Sequence, residues 1–461
     1  MAVGILREAG GVYGARVVLL VGVGDNGGDA LFAGALLARR GVRVDAVLLD
    51  ASRVHVGGLA ALVEAGGRVA SDTSGAFAAE VCAAADLIVD GLLGIGGKGG
   101  LRERAAELAL AADASSAPIV AVDLPSGVDA DTGQVDGVTV RAGVTVTFGA
   151  YKPGLLIDPA AERAGVVEFV DIGLAPLLLP AQPLAEALQA ADVAALLPVP
   201  AHETDKYGRG VVGLDVGSTR YPGAARLAVG GALRSGVGAV RYTGPIDVGQ
   251  NYPEVMIGRD RVQAWVVGCG LDRDEAASAR LEETLAATDV PVLVDADGLA
   301  LLAALGPDAL ANRVAPTVLT PHAGEAARLL DVSRASVEAR RLDSVRRLAD
   351  MYGATVLLKG TTTLIASPGS GDAAQGMGTG TGTGTVRVNP TGTPVLATAG
   401  SGDVLAGVIG GLLAAGLRPL DAASVGAYLH GLAGRIAGSS GPIAAGDLLA
   451  ALPRAWQNLQ G

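Results

Sequence analysis

The 461-residue sequence predicts an α/β protein with two domains. Three observations support this prediction. The chain is too long for one typical hydrophobic core. Short β-branched runs alternate with alanine-rich helical stretches, and a stretch with five prolines, residues 173–200, interrupts the alternation. Half of the residues are hydrophobic and 18% are charged, so the chain has enough apolar side chains for two packed interiors.

The first part of the chain has regular spacing of apolar segments. Strand-length apolar runs occupy residues 16–22, 42–50, 85–91, 117–124 and 144–149. Helical periodicity lies between them, over residues 29–40, 55–65 and 101–112. Such alternation predicts a parallel, doubly wound sheet with helices on both faces. We expect this domain to span residues 1–173 and a linker to follow over residues 174–200.

The same alternation resumes after the prolines, and we expect the second domain to span residues 201–461. Its strand-like runs are 211–216, 239–243, 264–268, 291–295, 317–320, 355–358, 362–366 and 386–389. The glycine-rich residues 367–385 predict a mobile hairpin loop between the last two runs. Residues 404–417 are uncharged but shorter than the ~20 apolar residues of a membrane span, so we expect a buried helix there.

Composition narrows the function classes. The formal net charge is −12 and no basic block occurs, so a nucleic-acid partner is not expected, because phosphates require a positive protein face. Cys82 and Cys269 lie far apart, which indicates a reducing compartment. Residues 1–14 contain no apolar run of signal-peptide length. We expect a cytoplasmic protein without a membrane partner. A homo-oligomer is also expected.

Lysine is rare in this chain and arginine is common. The four lysines, Lys98, Lys152, Lys206 and Lys359, all lie in glycine- or proline-containing stretches. Chance is one explanation. The other is that a compact ammonium is needed at some of these positions to meet a phosphate or a carboxylate.

A glycine loop follows the first predicted strand. Gly22, Gly24 and Gly27 satisfy the G-x-G-x-x-G spacing, which favours an NAD-dependent dehydrogenase as one hypothesis. Asp25 and Asp29 argue against it, because their carboxylates would repel a pyrophosphate. A loop with acids and amides suits a cation or the hydroxyl groups of a ligand better.

Further polar side chains follow the later strands of this part. Asn26, Asp90, Asp123 and Ser126 should meet, because the carboxyl ends of parallel strands converge on one crevice. Their oxygen atoms suit a hard cation or a polar substrate. The alternative is that these residues only cap helices and turns.

The strongest local signal is TAGSGDVLAG at residues 398–407. Gly400 and Gly402 allow backbone amides to form an anion site at a helix N-terminus, and Asp403 stands inside it. An acid there suggests a base that takes a proton from a hydroxyl as a phosphoryl group arrives. An aspartate N-cap is the alternative. Asp295 and Asp297 end another strand and could hold the water shell of Mg²⁺.

These motifs together resemble one family, the bifunctional NAD(P)H-hydrate repair enzymes. GVGDNGGD, VDLPSGVD and TFGAYKPG resemble its N-terminal, Rossmann-like domain. KYGRGVVGLDVGS, YPGAA, VVGCGL, VDADGL, TPHAGE, LLKGTTT and TAGSGDVLAG resemble its ribokinase-like C-terminal domain. The segment before the first strand is short for the family, so the first domain is expected to be N-terminally short. Cys269 and Asp272 replace a proline and a glycine of the family pattern GPGLG.

The resemblance implies two activities, a lyase and an isomerase. The first domain would epimerise the R and S forms of hydrated NADH and NADPH. The second would dehydrate the S form with ADP as phosphoryl donor and Mg²⁺ present, releasing AMP and phosphate.

The resemblance also implies site residues. The epimerase pocket would comprise Asp25, Asn26, Gly27, Gly28, Asp29, Gly94, Ile95, Gly96, Gly97, Lys98, Gly99 and Gly100, with Asp123 as a substrate-binding and catalytic residue. A potassium ion, K⁺, would bind Asn26, Asp90 and Ser126. In the second domain Ala224, Gly270, His322 and Asp403 would contact the hydrated cofactor, with Asp403 as general base. The adenine nucleotide would contact Lys359, Gly360, Thr361, Thr362, Thr363 and Gly402.

Two other hypotheses stay open. The ribokinase-like motifs alone also permit a kinase for a vitamin-precursor alcohol. The first domain could also be a non-catalytic binding or oligomerisation module. The sequence leaves the preference for ADP or ATP open.

Overall fold

The structure is a computed structural model, and it describes residues 1–70, 74–178, 182–199, 203, 205–369 and 384–460. The chain forms two compact units, Met1–Pro183 and Leu184–Gly461. Each unit has a mainly parallel sheet with helices around it, which confirms the predicted α/β class.

The first unit contains a seven-stranded parallel sheet in its described residues. The strands are β1 (Arg16–Val21), β2 (Arg43–Leu48), β3 (Arg68–Val69), β4 (Leu87–Gly91), β5 (Ile119–Val122), β6 (Val144–Phe148) and β7 (Val166–Val170). The helices are α1 (Ala2–Glu8), α2 (Asp25–Ala38), α3 (Val56–Glu64), α4 (Gly75–Ala83), α5 (Glu103–Asp113), α6 (Ala161–Ala164) and α7 (Ala175–Leu178). The strand order is β3-β2-β1-β4-β5-β6-β7.

Strand β1 shows why this part of the chain folds as a doubly wound sheet. Val17, Leu19 and Val21 pack in the hydrophobic cluster on one face of the sheet. Val18 and Leu20 pack in the cluster on the opposite face. Successive side chains of a strand point to opposite faces, so a strand covered by helices on both sides must be apolar throughout.

The structure differs from the sequence-based expectation at several elements of the first unit. Helix α2 begins at Asp25, with Gly24 as N-cap, so the acids of the glycine loop lie in its first turn. Helices α1 and α4 and strands β3 and β7 were not predicted. Strands β3 and β7 lie at the two edges of the sheet and are largely exposed, so they lack the continuous apolar pattern of the central strands.

The second unit is larger. Its strands are β8 (Val211–Asp215), β9 (Ala239–Tyr242), β10 (Met256–Ile257), β11 (Ala264–Val267), β12 (Val292–Val294), β13 (Thr317–Leu319), β14 (Thr355–Leu358), β15 (Leu364–Ala366) and β16 (Val386–Val388). Its helices are α8 (Ala190–Leu196), α9 (Pro222–Leu233), α10 (Glu275–Leu285), α11 (Asp297–Leu305), α12 (Ala323–Leu330), α13 (Arg334–Ala339), α14 (Arg341–Tyr352), α15 (Ser401–Ala414), α16 (Pro419–Gly438) and α17 (Ala445–Gln460).

The sheet of the second unit has the order β10-β9-β8-β11-β12-β13-β14-β15-β16. Strand β15 pairs antiparallel with both β14 and β16, and the other neighbouring strands pair in parallel. The predicted mobile loop joins β15 to β16, and most of it lies outside the described residues. Helix α15 is the predicted buried helix, and every residue from Val404 to Ala414 is buried. Among the described residues, no helix combines the length and the apolar character that crossing a bilayer requires.

Part of the predicted linker is a packed helix. Helix α8 contributes Val193 to the core of the second unit, and Leu197 follows it there. The boundary between the two units, after Pro183, falls inside the range predicted as linker. The surrounding prolines concealed α8 in the sequence, because proline clusters are typical of linkers.

Candidate active sites

Polar side chains of the first unit lie near the boundary between β1 and β4. The strand order of the sheet reverses there, which makes this boundary the topological switch point. In such a sheet, ligands bind at this switch point, beyond the carboxyl ends of the strands. Asp90, at the end of β4, is fully buried. Its carboxylate accepts hydrogen bonds from the Ser126 hydroxyl (2.6 Å), the Ser126 backbone amide (2.8 Å) and the Leu92 amide (3.2 Å). Burial raises the pKa of Asp90 to about 6.

Asn26 lies beside this pair. A Cβ placed on Gly94 would lie 3.4 Å from Asn26 Oδ1, and Leu93 donates its amide to Ser126 Oγ (2.9 Å). The buried Asn26 Nδ2 has no hydrogen-bond partner among the described residues. A buried carboxylate with hydroxyl and amide oxygens nearby is a suitable donor set for K⁺, so these residues fit the predicted ion.

Asp123 follows β5 in an unusual backbone conformation, with φ +67°. Its Oδ1 accepts hydrogen bonds from the Lys152 ammonium, from Thr147 Oγ1 (3.2 Å) and from the Phe148 amide (3.3 Å). Lys152 also donates to Thr147 Oγ1 (2.8 Å) and to the Phe148 carbonyl (3.0 Å). The lysine of AYKPG therefore belongs to this site.

The acids of the glycine loop face the same crevice. Burial raises the pKa of Asp29, and the charges of Asp25 and Asp123 raise it further, while His55 opposes the shift. A Cβ on Gly28 would lie 2.8 Å from His55 Cγ, so this imidazole stands directly over the loop. Gly27 lies against the backbone of Gly22. The structure thus brings the predicted residues 25–29 together with Asp123.

The predicted segment 94–100 begins beside the Asp90–Ser126 pair. Gly94 touches Asn26, but Ile95 is exposed. Lys98 is exposed as well, with its Nζ 3.3 Å from Asp131 Oδ2 and 3.9 Å from Asp129 Oδ2. Gly96 and Gly97 lie between them, and Gly99 and Gly100 both have positive φ.

The second unit builds its site around the first turn of α15. Gly400 is the N-cap residue, with φ +89°, and Asp403 lies in the first turn, as the sequence predicted. The side chains of Cys269, Asp295 and Asp403 bring their ligand atoms within 4.8 Å of one another. Cys269 Sγ lies 3.7 Å from Asp295 Oδ2.

Lys359 connects this cluster to the predicted nucleotide segment. Its Nζ lies 2.7 Å from Asp295 Oδ1 and 3.9 Å from Glu325 Oε2. A Cβ on Gly402 would lie 3.4 Å from the same ammonium. Residues 359 and 403 therefore share one site.

The protonation states follow from burial and charge. Burial raises the pKa of Asp403 to about 7, and Asp295 adds to the shift while Lys359 opposes it. Burial alone would lower the pKa of Lys359, but Asp295 and Glu325 outweigh this effect and raise it, so the ammonium stays charged. Burial raises the pKa of the Cys269 thiol well above its usual range, so this thiol is a hydrogen-bond donor at neutral pH.

His322 has a capping role in this site. It is the N-cap of α12, and its Nδ1 accepts the amides of Gly324 (3.0 Å) and Glu325 (3.2 Å). Glu325 returns a hydrogen bond to the His322 amide (2.8 Å), which completes a reciprocal cap. Nδ1 is thus an acceptor, and the ring proton is on Nε2, 3.4 Å from Glu325 Oε1. Burial lowers the pKa of His322.

The turn that carries the predicted nucleotide residues is held by a buried arginine. Arg341 Nη2 donates to the carbonyls of Lys359 (3.1 Å), Thr362 (3.0 Å) and Leu358 (3.3 Å). Gly360 lies against the Arg341 guanidinium, and Thr363 Oγ1 donates to the Gly360 carbonyl (3.2 Å). Thr361 lies between them in the same turn.

Ala224 and Gly270 face each other. A Cβ on Gly270 would lie 2.8 Å from the Ala224 methyl group. The loop that contains Gly270 also carries Cys269, whose carbonyl accepts the Gly217 amide (2.7 Å). Ala224, Gly270, Lys359, Gly402 and Asp403 are thus linked through neighbouring contacts.

The two carboxylates suggested for the water shell of Mg²⁺ both have protein cations as partners. Asp295 pairs with Lys359, and Asp297 Oδ1 accepts from Arg273 Nε (2.8 Å). Neither carboxylate is left without a counter-charge.

Several residues of these sites were not assigned a role from the sequence. Lys152, Glu325, Cys269 and Arg341 all contact a predicted site residue. The scarcity of lysine was a signal for Lys152. Arg341 offered no signal, because it is one of many arginines and lies in an ordinary helical sequence.

Comparison with known families matches both units. The model of the family described as NAD(P)H-hydrate dehydratase matches residues 212–454, and that of the YjeF-related protein N-terminus matches residues 2–154. Among solved structures, an ADP/ATP-dependent NAD(P)H-hydrate dehydratase from Bacillus subtilis, co-crystallised with ATP and Mg²⁺, covers 60% of this chain and 99% of its own. The sequence identity is 28% and the TM-score is 0.53.

Two curated relatives align with nearly the whole of this chain. The bifunctional NAD(P)H-hydrate repair enzyme of Mycobacterium leprae is 48% identical over 95% of this chain and 88% of its own length. That of Escherichia coli is 34% identical over 95% of this chain and 84% of its own length. The fold is therefore a Rossmann-like unit followed by a ribokinase-like unit, as the sequence predicted. The chain belongs to the family of bifunctional NAD(P)H-hydrate repair enzymes.

Proposed function

We propose that this chain repairs hydrated NADH and NADPH by epimerisation in the first unit and nucleotide-dependent dehydration in the second. The central observation is Asp403, which stands in the amide-rich first turn of α15 beside Lys359. Family membership supports both activities, and the relative co-crystallised with ATP and Mg²⁺ supports an adenine nucleotide as co-substrate.

In this proposal, Asp403 starts the dehydration. The hydroxyl of the hydrate gives its proton to Asp403, and its oxygen forms a bond to the terminal phosphorus of ADP, while the phosphorus–oxygen bond to AMP breaks. The amides of the helix N-terminus and the Lys359 ammonium stabilise the phosphoryl charge. The lone pair of the ring nitrogen then expels phosphate, and loss of a neighbouring ring proton restores the dihydropyridine.

The remaining predicted residues bind and orient the two substrates. His322, Ala224 and Gly270 would contact the hydrate, and residues 359–363 with Gly402 would contact the nucleotide. Mg²⁺ would neutralise charge on the nucleotide phosphates, with Asp295 facing its water shell while it keeps Lys359 in place.

The first unit would bind both epimers of the hydrate. Residues 25–29 and 94–100 would line the pocket, and Asp123 would exchange a proton with the substrate. Asn26, Asp90 and Ser126 would hold K⁺, which supplies positive charge to a buried carboxylate. We also propose a homo-oligomer in the cytoplasm, and light scattering of the purified chain tests its assembly.

Acid-treated NADH, which contains the hydrate, tests the function. Recovery of the reduced nicotinamide absorbance with ADP supports repair, and a parallel reaction with ATP decides the nucleotide preference. Turnover of a vitamin-precursor alcohol without hydrate repair would support the kinase alternative instead. Faster consumption of both epimers than their spontaneous interconversion allows would support the epimerase.

The variant Asp403→Asn tests the base. We expect it to lower the dehydration rate by about 10²–10⁴-fold, because it removes the proton acceptor. Nucleotide binding, measured by calorimetry, should change little, since Gly402 and Lys359 remain. A dehydration rate near that of the unsubstituted chain would remove Asp403 from the mechanism.

A further inference from the structure

Lys152 occupies a socket built by the protein itself. Its Nζ donates to Asp123 Oδ1, Thr147 Oγ1 and the Phe148 carbonyl, and only 15% of its side chain is exposed. An ammonium has three N–H donors, so three acceptors satisfy it completely. Lys152 therefore has no donor left for a ligand phosphate, and Asp123 is the charged group that it contacts.

Asp123 uses its two carboxylate oxygens unequally. Lys152, Thr147 and the Phe148 amide all donate to Oδ1. Within the described residues, no hydrogen bond to Oδ2 is present, and 16% of the Asp123 side chain is exposed. One oxygen is thus fixed by the protein, and the other is left for a substrate.

The backbone of Asp123 has a positive φ, which indicates that surrounding contacts determine its conformation. A positive φ is a backbone conformation that non-glycine residues adopt only uncommonly. Such strain persists where surrounding contacts determine the conformation, and the three bonds to Oδ1 provide them. Lys152 supplies the only positive charge among these three donors.

A second acid, Asp29, stands near Asp123. Asp29 is more easily protonated than an ordinary aspartate, because burial and the charges of Asp25 and Asp123 raise its pKa. Two neighbouring acids, one of which is paired with a lysine ammonium, can act as acid and base in one reaction.

We propose that Lys152 is the positioning residue of the epimerase site. Its ammonium holds the Asp123 carboxylate by Oδ1, so that Oδ2 is left to take a proton from the water that adds to the substrate. This inference rests on the proposed epimerase function and names the group that prepares its base.

The reaction balances with these two acids. Asp29 gives a proton to the ring hydroxyl, the carbon–oxygen bond breaks, and the lone pair of the ring nitrogen forms a carbon–nitrogen double bond as water leaves. Water then adds to the opposite face of the same carbon, its second proton goes to Asp123 Oδ2, and the double-bond electrons return to nitrogen. The proton gained by Asp123 and lost by Asp29 is exchanged through solvent before the next turnover.

A double-mutant cycle tests the proposal in the full-length chain. The rate of epimer interconversion is measured by NMR without nucleotide, so that no dehydration takes place. We expect Lys152→Met and Asp123→Asn each to lower kcat by about 10²-fold or more. If Lys152 acts through Asp123, the double variant should be no slower than Asp123→Asn within about threefold.

The controls separate this role from general folding. Arg68→Met removes the exposed Arg68–Asp45 ion pair of the same unit and should leave epimerisation unchanged. Dehydration of the pure S form should persist in all these variants. If Lys152→Met unfolds the first unit, Lys152→Arg replaces it in the test of whether Lys152 acts through Asp123. It keeps the charge in a planar shape that fits the three acceptors poorly, so it should fold with a reduced kcat that is again non-additive with Asp123→Asn.

Three results would overturn the proposal, and they are distinguishable. Lys152 does not act through Asp123 if the losses in kcat of the two single variants multiply in the double variant. The same conclusion follows if Lys152→Met has the kcat of the unsubstituted chain. An unsubstituted chain that does not accelerate epimer interconversion would refute the epimerase function itself, and the role of Lys152 with it.

Discussion

At the scale of single residues, the protonation of Asp403 connects the structure to the rate. A base must be ionised to accept a proton, and the pKa of Asp403 is about 7 because of burial and the nearby Asp295. We therefore expect kcat/KM for dehydration to rise with pH until it levels off above about pH 7. A profile that is flat from pH 5 to 8 with saturating nucleotide would contradict this assignment.

Cys269 should influence the pH at which kcat/KM for dehydration rises. Its protonated thiol donates to one carboxylate of the cluster at a time, and a hydrogen bond from it lowers the pKa of Asp403 relative to burial alone. Cys269→Ala should move the rise in kcat/KM to higher pH, whereas Cys269→Ser should keep it near its original position because a hydroxyl also donates.

Cys82 provides the matched control for this prediction. It is the other cysteine of the chain, it is equally buried, and it lies in the first unit. Cys82→Ala should leave the pH profile of dehydration unchanged. A profile that does not move in Cys269→Ala would show that the thiol has no part in the ionisation of Asp403.

Predictability at this scale depended on local chemistry. Asp403 and Asp123 could be identified because each follows a strand or a glycine turn in a short polar motif. The ion pairs of these sites could not be predicted, because Lys152 is 29 residues from Asp123 and Lys359 is 64 residues from Asp295. Such pairs depend on strand order, which hydrophobic periodicity does not determine.

At the scale of elements, the close approach of α9 and α15 positions the dehydratase site. Gly231 of α9 lies against the Val404 carbonyl, and Gly407 of α15 lies against the Ala228 carbonyl. A side chain at either glycine would collide with backbone, which cannot rotate away. Because these two residues have no side chain, the helix that carries Asp403 can pack directly against the backbone of α9.

Gly407→Ala should consequently destabilise the second unit. We expect a loss of about 2–4 kcal/mol in the free energy of unfolding, because the added methyl group overlaps the Ala228 carbonyl and must separate the helices. Urea unfolding followed by circular dichroism measures this loss.

The matched control is Gly446→Ala. Gly446 also lies in a helix, α17, but no atom is within 4 Å of its Cβ position. Alanine there should be neutral or raise stability by up to about 1 kcal/mol through its helix propensity. Equal stability of the two variants would show that α9 and α15 adjust without cost.

Sequence patterns predicted central elements better than peripheral ones. Strand β1 and helix α15 are apolar over nearly their whole length, so their burial was evident. Helix α8 was hidden among prolines, and the edge strand β7 is largely exposed and lacks the apolar pattern. The start of α2 was placed four residues late, because its first turn consists of aspartate, asparagine and glycine, which are poor helix formers away from a helix end.

At the scale of the whole molecule, each unit has its own core and its own candidate site. The hydrophobic clusters of the first unit contain only its own residues, and the same holds for the large cluster of the second. The Bacillus subtilis dehydratase covers only 60% of this chain yet 99% of its own, so the ribokinase-like fold exists alone in that protein. These observations indicate that the two activities are separable.

A fragment of residues 184–461 should therefore fold and dehydrate the S hydrate at a rate comparable to that of the full chain. Its consumption of the R hydrate should be limited to the spontaneous interconversion of the epimers, because Asp123, Lys152 and the glycine loop are absent from the fragment. Addition of a separate fragment of residues 1–183 should accelerate R-hydrate consumption, since a free intermediate can diffuse between two independent sites. Chromatography of both epimers over time distinguishes these outcomes. If the C-terminal fragment folds but dehydrates neither epimer, the dehydratase site must require residues of the first unit, and the division of labour argued from the separate cores would be wrong.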